Sequence, residues 1–153
     1  VMTEDIAAVA AEQPGPAGGR LLDHPAFARK LAEVRIRTEV LEILEHQVLA
    51  VVAAGGNPGA KSSMLKVLGT ELSQHITELA MEAAGPRGRA YQPHATCPGG
   101  PIAHFEPPAD GHVSGEPWQA VAPLRYLNDR AGSIYAGSNE IQRNILAKAA
   151  LGL

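Results

Sequence analysis

Residues 130–153 have the sequence RAGSIYAGSNEIQRNILAKAALGL, a glycine turn followed by a stretch whose pattern predicts a helix from residue 138 to 150. Gly137 lets the backbone turn tightly or approach a ligand closely. Ser138 or Asn139 can cap the helix, and Asn139 with Gln142 has the spacing of a capping box. The unpaired N–H groups at such a helix start suit an anion or the polar edge of a ligand. On spacing alone, the simpler interpretation is a well-capped helix after a turn.

Three more helices are predicted upstream, over residues 23–54, 60–84 and 118–131. Asp23 is the expected N-cap of the first, and Pro25 is tolerated in its first turn. One apolar stripe runs along this helix and other apolar residues widen it, so we expect it to be covered on more than one side. The stripe consists of Phe27, Leu31, Val34, Leu41, Val48 and Val52, and the widening residues are Ile36, Val40, Ile43 and Leu44.

The connection over residues 86–117 is rich in proline and glycine and keeps neither a period of 2 nor one of 3.6, which predicts a long surface loop. Ser62 and Lys66 open the second long helix, and we expect them to cap it. The fold predicted is all-α: an up-down four-helix bundle with a long Pro/Gly-rich loop. Residues 1–22 are expected to be the end of a preceding helix and a linker, and 23–153 the bundle, with the loop as an insertion.

Composition and charge exclude several classes of function. The net charge is −3 and no basic stripe is present, so no nucleic-acid partner is expected. The longest apolar runs, such as residues 48–54, are too short to span a membrane, and no signal peptide is recognisable, which together with the single Cys97 predicts a cytoplasmic protein. His94, His104 and His112 lie near Cys97, but their spacing is not that of a zinc module, so no metal site is expected.

The run IYAGSNEIQRNILAKAALGL at residues 134–153 resembles the last helix of acyl-CoA dehydrogenases, in which the usual pattern is Ile-Tyr-Glu-Gly-Thr-x-Glu/Gln-Ile-Gln-Arg. The similarity extends upstream. LLDHPAFARKLAEVRIRTEVLE at 21–42 resembles the helix that opens the carboxy-terminal bundle of that family, and SSMLKVLGTELSQHITELAMEAAG at 62–85 resembles the next helix. The proline-rich residues 89–117 do not match the shorter connection expected from the best-known members of that family.

The resemblance implies a flavoprotein of fatty acid or lipid metabolism. Such enzymes have an amino-terminal helical domain, a β-domain and a carboxy-terminal helical bundle, and they bind FAD and oxidise the α–β bond of an acyl-CoA thioester. Their electrons usually pass to an electron-transfer flavoprotein, and they assemble as dimers or tetramers with themselves or with a homologous subunit. This chain has room only for the third domain, so by itself we expect it to be inactive and to retain FAD weakly or not at all.

Ala136 departs from the family pattern at its most informative position. The resemblance implies that this residue, between Tyr135 and Gly137, is usually the glutamate that acts as catalytic base, and alanine cannot accept a proton. Three explanations stay open: a base on an earlier helix before residue 1, a heteromer in which this subunit is the non-catalytic partner, as in bacterial enzymes acting on steroid side chains, or an inactive protein. A helical adaptor bundle without a ligand is a further alternative.

The resemblance also implies cofactor contacts. Gly137, Ser138 and Glu140 match positions that touch the adenosine or pyrophosphate of FAD, and Tyr135 is expected to line the flavin or acyl pocket or to belong to the core. A glycine-rich turn that contacts FAD from the neighbouring subunit is altered here, because Pro86 and Arg87 replace its usual glycine and asparagine. The residues assigned to FAD are therefore Tyr135, Gly137, Ser138, Glu140, Gly85 and Gly88.

Overall fold

The computed structural model describes residues 2–97, 104–107, 109 and 111–152, and this part of the chain forms five α-helices and one short hairpin. The helices are α1 (Met2–Glu12), α2 (Pro25–Ala53), α3 (Lys61–Ala84), α4 (Pro117–Asp129) and α5 (Asn139–Leu151). The hairpin consists of β1 (Thr96–Cys97) and β2 (His104–Phe105), and single 3-10 turns occupy Leu21–Asp23, Gly85–Arg89 and Arg130–Ser133. The predicted all-α bundle is confirmed.

Helix α3 is the centre of the fold, because all four other helices pack against it. The main hydrophobic core lies between α1, α2 and α3 and is made of Ile6, Ala10, Leu21, Phe27, Leu31, Val34, Leu72, Leu79 and Ala83. Burial of each large apolar side chain in this core stabilises the fold by about 1.5–3 kcal/mol. Since Ile6 and Ala10 belong to it, α1 is part of the packed unit. The boundary proposed between residues 22 and 23 stays a prediction.

Two of the predicted helix caps are wrong. Asp23 does not cap α2, because its carboxylate accepts two hydrogen bonds from Arg20, at 2.7 and 2.9 Å, and His24 takes the N-cap position without a side-chain bond. Helix α3 also begins without a side-chain cap. Ser62 lies in its first turn, and Lys66 donates to the carbonyl of Gly132 and to the side chain of Asn139 at the start of α5.

The 86–117 connection is held in place by two buried glutamines. Gln92 donates to the carbonyl of Ser114 (3.0 Å) and accepts from its amide (2.8 Å), so it joins the two ends of the connection. Gln119, in the first turn of α4, donates to the carbonyl of Ala84 at 3.2 Å. Between these anchors β1 and β2 pair antiparallel. Strands of two residues are too short to leave a period in the sequence, which is why no regular structure was expected here.

The second apolar side of α2 is not covered by the described part of the chain. The stripe residues Phe27, Leu31, Val34 and Val48 are buried, but Ile36, Val40 and Ile43 on the opposite side are more than half exposed, and so are Leu49 and Val52 at the end of the helix on the stripe side. Apolar surface of this extent on one helix is typical of a surface that packs against another protein or domain. Within the described ranges, no helix combines the length and apolar character needed to cross a membrane.

Candidate functional site

The turn between α4 and α5 is open to solvent. Tyr135 is 58% exposed, and the two residues after it are exposed as well. Ala136 (φ 56°) and Gly137 (φ 84°) both lie in the left-handed region of backbone conformation, which favours glycine. A Cβ atom added to Gly137 would come within 2.6 Å of the Gln142 amide nitrogen. The turn is therefore accessible on its exposed side, while the Gln142 side chain occupies the space that a side chain at position 137 would need.

Ser138 caps α5, with its hydroxyl accepting from the backbone N–H of Ile141 at 3.5 Å. The capping box predicted from Asn139 to Gln142 is wrong, because Asn139 is the first residue inside the helix and its side chain is buried elsewhere. The pKa of the exposed Glu140 carboxyl is lowered, because its own backbone amide and the Ser138 hydroxyl donate hydrogen bonds to it. An ionised carboxylate at this helix start favours hydroxyl donors, such as those of a ribose, over a phosphate.

A polar network fastens the turn to α3. Asn139 is 1% exposed, and its carbonyl oxygen accepts from Lys66 Nζ at 2.7 Å and from the Thr70 hydroxyl at 3.2 Å. Its amide nitrogen lies 3.5 Å from a Glu71 carboxylate oxygen. Lys66 Nζ also donates to the carbonyl of Gly132 at 3.1 Å. One lysine of α3 thus holds the chain both before and after the exposed turn.

Two ion pairs extend this attachment along α3. Arg130 lies just before the turn and pairs with Glu78 at 2.8 Å, and its guanidinium stacks 4.5 Å from the centroid of the Tyr126 ring. Arg143 of α5 pairs with Glu71. The turn is therefore exposed to solvent on one side and held by α3 on the other. A preformed ligand site requires such an arrangement. The sequence did not reveal the contacts with α3, because their partners are more than 50 residues apart and follow no local spacing.

The side chain of Ala136 cannot accept a proton. Its side chain is a methyl group, whereas proton abstraction requires a basic atom within hydrogen-bonding reach of the substrate. Glu140 follows four residues later inside α5, and its carboxylate is engaged with Ser138 and with its own backbone. By itself, this turn has groups that can bind and orient a ligand and none that replaces the usual base.

Gly85 and Gly88 lie at the opposite end of α3 from the turn. Gly85 (φ 57°) ends that helix, and Gly88 is buried, with a Cβ atom added there only 2.5 Å from the Ala84 Cβ. Lys66 and Gly85 are separated by 19 residues of helix, or roughly 28 Å along its axis. One copy of the chain does not bring the two groups of glycines together. Both contacts to one FAD would require two subunits.

The histidines of the long connection separate into two groups. His94 contacts the carbonyl of His112 at 3.0 Å through its Nε2 atom. His104 lies across the hairpin from Cys97 and beside Glu106, and these three residues bring their side-chain nitrogen, sulfur and oxygen atoms within 4.8 Å of one another. Histidine spacing alone does not reveal this cluster, because a glutamate completes it.

The fold and the site together define a class of protein: an all-α bundle whose last helix starts behind an exposed glycine turn fastened to the central helix. The family model for the acyl-CoA dehydrogenase C-terminal domain matches residues 4–151, and the chain belongs to this family. The family resemblance of the last helix is thereby confirmed. The family model also includes the proline-rich residues 89–117, to which that resemblance did not extend.

Individual relatives agree with this assignment. The chain is 35% identical over 96 residues to the acyl-CoA dehydrogenase IpdE1 of Mycobacterium tuberculosis, an alignment that covers 63% of this chain and 19% of that protein. The fold is similar to chains in the ChsE4–ChsE5 complex from Mycobacterium tuberculosis (TM-score 0.71, 24% identity) and in the Tcur3481–Tcur3483 steroid ACAD (0.69, 20%). The chain is covered to 99% in both comparisons but spans only 34% and 33% of those chains.

Proposed function

We propose that this chain is the part of an FAD-dependent acyl-CoA dehydrogenase that supplies one section of the FAD site and much of the assembly surface. The observation that carries the proposal is the exposed turn at Ala136 and Gly137, which Lys66 and Asn139 fix against the central helix. When bound, FAD would supply the hydride acceptor for the oxidation of the α–β bond of an acyl-CoA thioester. An electron-transfer flavoprotein is the proposed electron acceptor.

The residues of the turn fit a nucleotide. Gly137 has no side chain to hold the backbone away from a ligand, the Ser138 hydroxyl oxygen can accept a hydrogen bond, and the ionised Glu140 suits ribose hydroxyls. Tyr135 is exposed beside them, where it can line the flavin or acyl pocket. Gly85 lies at the far end of α3, so we assign its contact to the FAD of a neighbouring subunit. The burial of Gly88 against Ala84 makes it a support for that turn rather than a direct contact.

The alanine at position 136 favours a second candidate, a non-catalytic partner in a heteromer. In this arrangement a homologous subunit carries the glutamate, and the present chain contributes its FAD contacts and its surface. Two of the chains with a similar fold belong, by their names, to assemblies of two different proteins, ChsE4–ChsE5 and Tcur3481–Tcur3483. A base on an earlier helix of the same protein is the alternative, since those chains are about three times as long as this one.

The uncovered side of α2 is the proposed assembly surface. Ile36, Val40 and Ile43 are exposed along it, and Leu68 of α3 lies beside them in a shallow groove. We propose that the helical domain of a second acyl-CoA dehydrogenase subunit covers this surface. The groove contains one charge of each sign, Arg37 and Glu71, so a partner helix with a mainly apolar surface would match it best.

Co-expression tests these proposals. The full-length protein, a homologue with glutamate at the position of Ala136, and the two together are purified gently, and each is assayed for bound FAD and for oxidation of acyl-CoA thioesters. FAD in the full-length protein supports the flavoprotein assignment, and its absence from every preparation would refute it. Activity only in the mixture supports the partner role. Full activity of the protein alone would exclude that role and support a base on an earlier helix.

A further inference from the structure

The outer side of the β1–β2 hairpin carries three side chains that metals favour. Cys97 is paired directly with His104, and Thr96 with Phe105. The pairing continues one step beyond the strands, because the amide of Glu106, just after β2, donates to the carbonyl of Ala95, just before β1, at 2.9 Å. Side chains alternate between the two faces of a strand. Cys97, His104 and Glu106 therefore share one face, while Thr96 and Phe105 occupy the other.

The three side chains are already close to the geometry of a metal site. Cys97 Sγ lies 2.9 Å from Glu106 Oε2, and His104 Nε2 lies 3.3 Å from the same oxygen. All three donor atoms lie within 4.8 Å of one another. In a tetrahedral zinc site with bonds of about 2.0–2.3 Å, neighbouring donor atoms are about 3.3–3.8 Å apart. Small side-chain rotations would therefore bring these atoms into position around one ion.

We propose that Cys97, His104 and Glu106 bind a zinc ion, with water in the fourth position. A mixed set of sulfur, nitrogen and oxygen donors suits Zn²⁺, whereas Mg²⁺ and Ca²⁺ require oxygen ligands. Without metal, the thiol donates its hydrogen bond to Glu106. On binding, the thiol proton is released to solvent, and the thiolate and carboxylate together balance the two positive charges of the ion. His104 and Glu106 are 59% and 67% exposed, which leaves the ion a path of entry.

The ion would stabilise a hairpin that is weak by itself. Two strands of two residues each are below the size that is independently stable in water. A metal bound to Cys97 on one strand and to His104 and Glu106 on the other would join them. Strand β2 borders an apolar cavity of about 360 Å³ that is bounded by α1, α3 and α4, and Phe105, His104 and Trp118 all line it. Zinc would thus fix the hairpin over this cavity. The proposal is independent of FAD.

The test begins with cobalt, which takes the place of zinc and is visible by absorbance. The chain, purified without a polyhistidine tag and freed of metal, is titrated with Co²⁺. Because Cys97 is the only cysteine in the sequence, a thiolate-to-cobalt charge-transfer band can come from that residue alone. We expect one equivalent of Co²⁺ to produce the band and Zn²⁺ to displace it. Cys97→Ser should abolish the band, and His104→Ala and Glu106→Gln should each weaken binding at least about 10-fold.

His94→Ala is the matched control, since His94 lies in the same connection but contacts the carbonyl of His112, and its affinity for metal should equal that of the unmodified chain. A second measurement needs no variant: Zn²⁺ should slow the alkylation of Cys97 by iodoacetamide. The proposal is wrong if the unmodified chain gives no charge-transfer band and Zn²⁺ leaves the alkylation rate unchanged. It is also wrong if metal affinity survives the loss of His104 and Glu106 or falls equally when His94 is replaced.

Discussion

Replacement of Asn139 by alanine tests the attachment of the cofactor turn most severely. The side chain is buried, and its carbonyl oxygen accepts from Lys66 Nζ at 2.7 Å and from Thr70 at 3.2 Å. Alanine removes both hydrogen bonds. The Lys66 ammonium then keeps only the carbonyl of Gly132 within this network, in a position that is partly shielded from water.

The expected loss follows from these contacts. A hydrogen bond to a charged group contributes about 1.5–3 kcal/mol and a neutral one about 1 kcal/mol. Alanine is a better helix former than asparagine, which returns about 0.5 kcal/mol in the first turn of α5. Solvent that enters beside the partly buried Lys66 lowers the charged contribution further. We therefore expect Asn139→Ala to lower the free energy of unfolding by about 2–3 kcal/mol.

Urea unfolding of the chain, followed by far-ultraviolet circular dichroism, measures this change. With a slope of about 2 kcal/mol per molar urea, the midpoint should fall by about 1–1.5 M. Asn144→Ala is the matched control, because Asn144 lies on the same helix but is exposed, and its replacement should change stability by less than about 0.5 kcal/mol. If the two variants unfold at the same urea concentration, the network does not hold the turn and our reasoning fails.

Three further changes have defined outcomes. Ala136→Gly should stabilise the chain by about 0.5–1 kcal/mol in the same urea assay, because φ is 56° at this position and glycine accepts it without strain; a loss of stability would contradict the observed backbone. Ser138→Ala should raise the pKa of Glu140, measured by carboxyl NMR titration, because one donor to the carboxylate is lost; an unchanged or lower pKa would argue against that hydrogen bond. The lowered pKa of Glu140 stabilises the folded state above the pKa of the unfolded chain, and this contribution disappears as pH falls through the folded pKa. Because the variant also loses the N-cap of α5 at every pH, its loss of stability should be present in acid and larger at neutral pH. Gly88→Ala should destabilise by about 1–3 kcal/mol in urea, because the new Cβ would lie 2.5 Å from that of Ala84, and a neutral result would show that the turn shifts freely.

The helices could be predicted from the sequence because their signals are local and repeated. The predicted ranges 23–54 and 60–84 correspond to Pro25–Ala53 and Lys61–Ala84, where long apolar stripes end at glycine and proline. Side-chain partners far apart in sequence could not be predicted in this way. The sequence predicts that Lys66 caps its own helix, whereas its side chain bonds to Asn139, which lies 73 residues later.

The hairpin cluster shows the same limitation for a site. Cys97 and Glu106 meet only because two short strands pair, and no regular spacing marks that pairing. Position 136, in contrast, was informative in the sequence because the family resemblance identified which residue is usually there. The resemblance did not reveal that the backbone at this alanine is left-handed, since that conformation depends on the neighbouring turn and its attachment to α3.

The central claim is that the glycine turn before α5 holds part of a flavin nucleotide, and FAD affinity of the full-length protein tests it directly. Gly137→Ala is compared with Gly55→Ala, which changes another glycine of positive φ (75°) in a turn where an added Cβ meets no atom within 4 Å, and with Ala136→Ser. We predict that Gly137→Ala weakens FAD binding at least about 10-fold, a difference of about 1.4 kcal/mol, while the two controls bind as the unmodified protein does. Equal FAD affinity in all four proteins would contradict the claim.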